Sequence, residues 1–429
     1  MLRKKAVSSR NESIARDSLQ LISSGATVQL VALLLLIFIG RLYDEEMMGQ
    51  FGLFLTWGGL IAIAASGRYE QAIMVAASPR EAHRLLVLSL KLILLIAIGV
   101  LPFAVGMYLL PQYNPFSWMV LLMPLYIVLQ ASNEAFTLFV LRERRFRRLA
   151  WAQAVQGISN NLLKVLLGLC APHAFYLLLS ALLSLFSSLL LLSRKMLFSL
   201  WKSVVGGLFG FSRTERFLMR KWRNFPRFGV IQVLTDVLVA DIVVLLLPIH
   251  FTIAEVGFFT MAVMLCARPL NVLNRAIGNV YFQRMSKAVN EHKPIGGLIR
   301  RLQWNVFLIG APLAVALWFG MDWLVGLVVG PKWLTSAMII RWMMPAKIPN
   351  FVVAIINVLP DIFGKQRANM YAEFVMLALR LVVIYIGFRA ASFEVFIAIF
   401  FLYQVGEQLI YMLFLKGFAR RHDRSLRNA

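Results

Sequence analysis

Apolar runs of about 20 residues recur along the whole chain, parted by short polar stretches, and that length matches about 30 Å of hydrocarbon at about 1.5 Å of rise per residue. Each run therefore predicts a membrane-spanning helix. Twelve are present, at residues 18–40, 48–67, 85–110, 116–141, 149–171, 174–193, 228–249, 256–282, 302–325, 334–359, 368–388 and 392–415. The first exceeds a signal-peptide core and has no small-x-small cleavage site before Arg41, so it is expected to stay as an anchor. The longest polar segment, 194–227, parts the runs six and six. The pattern predicts an all-α, polytopic membrane protein: an N-terminal lobe over 1–200, a basic connector over 201–227 serving as a hinge, and a C-terminal lobe over 228–429.

The two halves open alike. Glu46, Gly49 and Phe51 follow the first external turn, and Glu255, Gly257 and Phe259 follow its counterpart in the second half. Six spans per half is an even number, so duplicated halves would share one orientation, as in transporter folds built from parallel repeats.

Polar residues inside the spans fall at helical spacing. Gln153, Gln156, Asn160 and Lys164 share one face of the fifth span, and Arg268, Asn271, Arg275 and Asn279 one face of the eighth. Gln130, Glu134 and Thr137, then Asn369, Glu373 and Arg380, and finally Gln20, Ser24 and Thr27 repeat the device. Wet faces on several helices predict a bundle around a hydrated cavity, with interhelical hydrogen bonding as the simpler alternative. Pro345 and Pro349 bracket Lys347, which suits either an unwound, movable turn or a static kink in the tenth span.

Charge sharpens this picture. Seven basic residues, Lys91, Lys164, Arg268, Arg275, Arg341, Lys347 and Arg380, stand inside apolar spans, where a lone cation is disfavoured by roughly 2.5 to 3.5 kcal/mol. Lys164, Arg268, Lys347 and Arg380 are placed near mid-span, whereas Lys91, Arg275 and Arg341 lie close enough to an end to snorkel toward headgroups. Five intramembrane acids, Glu134, Asp236, Asp241, Glu373 and Glu407, can pair with some of them, and the remainder stays positive. Fixed positive charge with guanidinium groups suits a phosphate or pyrophosphate cargo. The candidate substrate-binding residues are Lys164, Arg268, Arg275, Lys347 and Arg380, with Asn160 and Asn271 beside them.

Of the 44 lysines and arginines, 34 fall in alternate polar segments and three (Arg41, Lys332, Arg389) in the opposite loops, which predicts that both termini are cytoplasmic. The net charge of +24 is thereby topological, and the run Arg142, Arg144, Arg145, Arg147 and Arg148 is suited to anionic headgroups. No nucleic-acid partner is expected. Cys170 and Cys266 lie within spans, and the five histidines lack ligand spacing, so no metal or other cofactor is expected. Short external loops and the absence of a G-x-x-x-x-G-K-[ST] loop predict a transporter rather than an enzyme. Hydrophobic residues at 60% and a mean hydropathy of +0.75 agree with an integral protein throughout.

Several short motifs carry a resemblance. Gly40-Arg41-Leu42-Tyr43, Glu46, Gly49-Gln50-Phe51 and Gly67-Arg68-Tyr69-Glu70-Gln71-Ala72-Ile73 stand in the first half. Phe225-Pro226-Arg227-Phe228, Glu255-Val256-Gly257-Phe258-Phe259 and Arg268-Pro269-Leu270 stand in the second. In order and spacing these resemble the oligosaccharide flippases of the MOP exporter superfamily. The resemblance implies a MATE-like V-shaped bundle of two six-helix lobes. It also implies that an undecaprenyl-pyrophosphate-linked oligosaccharide crosses the bacterial inner membrane for surface polysaccharide (O-antigen) biosynthesis, beside polysaccharide polymerase and glycosyltransferases as partners. Arg68 and Glu70 match a family motif and join the candidate site on that basis, although a tight ion pair ending the second helix explains them equally well. A multidrug, organic-cation antiporter of the same superfamily is the alternative, and it would need a net acidic cavity.

Overall fold

The computed structural model describes residues 28–110, 116–193, 204–208, 210–389 and 392–428; the side chains of Ser117, Arg268, Asn271, Val272, Arg275, Ala276, Asn279 and Asn428 lie outside the description. The helices are α1 (Val28–Leu42), α2 (Glu45–Ala65), α3 (Tyr69–Val75), α4 (Pro79–Leu109), α5 (Met123–Arg142), α6 (Phe146–Cys170), α7 (Ala174–Ser193), α8 (Arg213–Lys221) and α9 (Val230–Leu246). Then follow α10 (Ile253–Ala262), α11 (Arg268–Asn290), α12 (Gly296–Val328), α13 (Leu334–Ile356), α14 (Gln366–Gly387) and α15 (Phe393–Asn428), and no strand occurs among the described residues. Two compact units form, Met1–Val237 and Leu238–Ala429.

Nine segments among the described residues are long and apolar enough to cross a membrane, and Val28–Leu42 and Ile253–Ala267 are shorter apolar helices. The chain is a multi-pass membrane protein. Helix α6 and helix α11 occupy two further expected spans but carry the polar stripes, which lower their hydropathy. Twelve spans thus remain an expectation. The polar residues Gln20, Ser24 and Thr27 of the first expected span lie outside the described residues.

On α14, burial runs opposite to that of a helix in a water-soluble protein. Helix α14 buries Asn369, Glu373 and Arg380 together with Ile384 and Gly387, while Tyr371, Val375, Leu379, Val382, Tyr385 and Ile386 are exposed. A helix with its polar face inward and its large apolar face outward is at home in hydrocarbon. In the first unit α5 is the central helix, packed on α2, α3, α4 and α7; in the second α13 has that place, against α10, α11, α12 and α15. A cluster of Met285, Ile299, Leu302, Ile356, Tyr411 and Leu415 closes one end of the second unit.

Helix starts follow their caps. Asp44 accepts from Met47 N at the head of α2, and Thr252 with Glu255 forms a reciprocal capping box at α10. The acid that opens each half, Glu46 and Glu255, therefore satisfies, or sits among, backbone donors at a helix N-terminus. Helix ends are closed by arginines. Arg142 Nη1 donates to Ile73 O at 2.8 Å and Met74 O at 3.0 Å, and its Nη2 donates to Ala76 O at 2.7 Å, covering the last carbonyls of α3. Arg148 Nε donates to Leu191 O at 2.7 Å near the end of α7. Two members of the arginine run expected at headgroups are thus structural clamps.

Helix α8, within the basic connector, is clasped to α4. Glu215 Oε1 meets Lys91 Nζ at 2.7 Å in a buried pair, while its Oε2 accepts from Ser212 N in a capping box. Ten residues back along α4, Glu81 Oε1 accepts from Lys221 Nζ at 2.6 Å and from Trp222 Nε1 at 3.0 Å. The snorkelling expected of Lys91 does not occur, because a carboxylate is delivered to it inside the protein. Burial alone would push the Glu215 carboxyl up; the Lys91 hydrogen bond and the Ser212 donors outweigh it and hold the carboxyl below the usual range.

Two outcomes follow for these clamps. Replacing Arg142 by Ala should cost about 2–3 kcal/mol by stripping charged donors from α3, with Arg142→Lys recovering only part, read as melting temperature in detergent. Lys91→Met should cost about 3–5 kcal/mol by stranding Glu215, and adding Glu215→Gln should restore most of it. Because the Glu215 value is lowered, its stabilisation is present at neutral pH and is lost as pH falls from the ordinary glutamate range through that lowered value, so amide exchange over 213–222 should rise on acidification.

Candidate functional site

In the first unit the stripe of α6 leads to Lys164. Its side chain is wholly enclosed, with Nζ 4.5 Å from the centroid of Phe51 on α2. Tyr43, in the turn between α1 and α2, donates from its hydroxyl to the Lys164 carbonyl at 2.8 Å, and it fits there because residue 168 is glycine: a Cβ would stand 2.8 Å from that hydroxyl. The Gly40-Arg41-Leu42-Tyr43 motif is thereby given a packing role. Asn160, one turn earlier, is half-buried, and its Oδ1 has no hydrogen-bond partner among the described residues. Gln153 at the start of the stripe is exposed.

Arg68 and Glu70 sit at the joint between α2 and α3. Gly67 and Arg68 both take left-handed backbone, with φ of 61° and 59°. That bend turns the chain so that the buried Glu70 carboxylate accepts from the Ser66 hydroxyl, with Arg68 Nη1 at 3.4 Å. Burial pushes the Glu70 carboxyl up, against the Ser66 bond and the Arg68 charge.

In the second unit the polar seam lies between α14 and α15. Arg380 Nη2 donates to Glu407 Oε2 at 2.6 Å, with both side chains 2% exposed, and the guanidinium lies 6.0 Å from the Phe400 centroid. Its Nε has no hydrogen-bond partner among the described residues. Farther along, the Tyr411 hydroxyl lies 2.8 Å from both Asn357 Oδ1 and Asn369 Oδ1, and Asn369 Nδ2 donates to Glu373 Oε1 at 2.7 Å. Lys347 on α13 is half-buried and feels the charges of Asp241 and Arg380. Arg341 Nη2 lies 3.2 Å from Asp322 Oδ1, with both side chains partly exposed.

Two backbone expectations separate here. Helix α13 runs unbroken from Leu334 to Ile356 through Pro345 and Pro349, so the unwound turn at Lys347 is absent. The loosened backbone occurs elsewhere: Val263–Ala267 forms a π-helical turn directly before Arg268 and Pro269, and Phe225–Gly229 forms another. The side chains of Arg268, Asn271 and Arg275 lie outside the described residues, so of these candidates only the backbone of α11 is placed.

Among the described side chains, Lys91, Arg341 and Arg380 have a carboxylate within ion-pair distance. Glu407 was legible only as a possible partner and Tyr43 only as part of a motif; Tyr411 and Asn357 gave no sign, and the partners of these tyrosines lie 38 to 121 residues away. Among the described residues, no three His, Cys, Asp or Glu come together as a metal site.

No curated protein matches the sequence. Among solved structures, the chain is similar to an inward-facing multidrug resistance MATE family transporter of the MOP superfamily, with a TM-score of 0.67 at 15% identity, covering 93% of this chain and 95% of that one. It is similar also to the lipid II flippase MurJ in an inward closed conformation, with a TM-score of 0.63 at 12% identity over 95% and 91%. A MATE in complex with MaD3S aligns with a TM-score of 0.59 at 15% identity over 97% and 96%. At these identities the likeness establishes the fold. The family described as Polysaccharide biosynthesis protein matches residues 38–338, most of the chain. The resemblance read from the short motifs holds at the level of family and fold, and the chain belongs to the polysaccharide biosynthesis protein family.

Proposed function

We propose that the protein is a flippase that moves a lipid-linked oligosaccharide, carried on undecaprenyl pyrophosphate, across the bacterial inner membrane by alternating access. The observation that carries this reading is the conjunction of a polysaccharide-biosynthesis family with a membrane-transporter fold. A saccharide on an anionic lipid is the cargo that satisfies both. The lipid II flippase among the structural neighbours supports it, as does the basic character of α6 and α11. The role is transport and not catalysis, with cytoplasmic termini and with polysaccharide polymerase and glycosyltransferases as functional partners.

In this proposal Lys164, Arg268, Arg275 and Lys347 supply charge to the pyrophosphate, and Asn160 and Asn271 supply hydrogen bonds. Arg380 enters with its charge already balanced by Glu407, so it offers N–H groups rather than net charge. Arg68 and Glu70 belong to the α2–α3 joint and act on its geometry.

One observation favours a second reading: a multidrug resistance transporter shares the fold at a TM-score of 0.67. An organic-cation antiporter would draw on the buried acids instead. The two separate in proteoliposomes, where the flippase moves a labelled lipid-linked saccharide between leaflets and the antiporter exchanges a cationic dye. Lys164→Ala and Arg268→Ala should each abolish saccharide transport while the protein still inserts, and full transport by both would refute the assignment. Lys164→Arg should be milder than Arg268→Lys, because a guanidinium grips two phosphate oxygens and an ammonium does not.

A further inference from the structure

A cleft of about 1000 Å³ opens in the first unit where α4 begins and α5 turns into α6. Its lining has two characters. Arg142, Arg144, Arg145 and His83 bring basic groups, with Glu143 the one carboxylate, while Met74, Phe139, Leu141 and Phe146 form an apolar floor. Arg145 Nε holds Glu143 at 3.0 Å, and Arg142 is committed to the carbonyls of α3, which leaves Arg144 as the arginine of the lining with no described task in the fold.

The backbone at Arg144 makes that freedom informative. Arg144 takes φ of 57°, a left-handed conformation, at the position where helices are commonly closed by glycine. The closing bonds are present: Arg144 N donates to Leu141 O at 2.9 Å and Arg145 N to Val140 O at 3.2 Å. Glycine would make the same two bonds without the steric penalty of a Cβ, so the turn itself gains nothing from an arginine. What the arginine adds is an exposed guanidinium lining a cleft in which Arg142 is bonded to the end of α3. Charge above an apolar floor fits an amphiphile with an anionic head.

We propose that this cleft seats an anionic phospholipid of the surrounding leaflet, its phosphate on Arg144 and Arg145 and the start of its chain on Phe139, Leu141 and Phe146. The inference stands apart from the flippase reading, since it concerns a bound membrane lipid and not the transported cargo. The test uses the full chain in phosphatidylcholine nanodiscs doped with a photoactivatable phosphatidylglycerol, with adducts mapped by mass spectrometry. Adducts are expected on the 139–146 segment, competed by unlabelled phosphatidylglycerol and not by extra phosphatidylcholine or millimolar inorganic phosphate. The Arg144→Gly/Arg145→Gln variant should lower them at least fivefold. Arg144→Gly alone should lower them too, with an unchanged or raised melting temperature, which separates lost binding from lost fold. Wild-type labelling in both variants would overturn the proposal. So would equal competition by phosphatidylcholine, or displacement by inorganic phosphate, which would make the cleft a site for free anions.

Discussion

Hydrocarbon gives no water to a charge or to the open end of a helix, and most of what is specific in this protein answers that constraint. Each polar group inside the apolar helices has to be met by protein. Glu407 is brought to Arg380 and Glu215 to Lys91, each at hydrogen-bond distance inside the protein. Beyond the span ends, the final carbonyls of α3 are closed in the same way, by a guanidinium from the end of α5. In water, exposed pairs of this kind would contribute little. Here, removing one partner leaves the other charged and buried, so the pairs hold the helices in one arrangement.

The same constraint bears on cargo. An anion entering such a protein competes with carboxylates already in place, and it gains most from cations they have not neutralised. Arg380 is already balanced by Glu407, so for it to hold a phosphate Glu407 would have to turn away or take up a proton. Lys347 is half-buried, and an incoming anion could reach it without first breaking the 2.6 Å bond that holds Arg380. Lys164 is enclosed over Phe51, so its reaching a ligand requires that α2 and α6 part. Such a closed arrangement is compatible with alternating access, in which a site is open in one state and sealed in another.

Much of the fold was legible because hydrophobic period and helix length are local properties. The stripe Asn369, Glu373, Arg380 was visible from spacing alone, and its burial follows from the apolar residues on the other face of α14. Partner choice was not legible. Nothing local says that Arg380 meets a residue 27 positions on, or that the Tyr43 hydroxyl crosses 121 positions to a carbonyl that becomes reachable because residue 168 is a glycine. Lys91 was misread as a snorkelling residue for a related reason: hydropathy counts distance from a span end, and it cannot count a neighbouring helix that arrives with a carboxylate. Pro345 and Pro349 left open an unwound turn, which does not form. Proline removes a donor, but α13 is packed by four helices, and that packing keeps it continuous where an isolated segment would open.

The arginine run shows how one composition can hold several functions. Five arginines in seven positions read as one basic patch. In three dimensions Arg142 and Arg148 turn inward to helix ends, Arg145 takes the adjacent Glu143, and Arg144 is left lining a cleft on left-handed backbone. A headgroup-seeking patch would be indifferent to which arginine did what, since net charge alone would serve it. Assignments this particular mean that geometry, and not charge density, selects the residues, so neutralising Arg142 and neutralising Arg144 are different experiments despite equal effects on net charge.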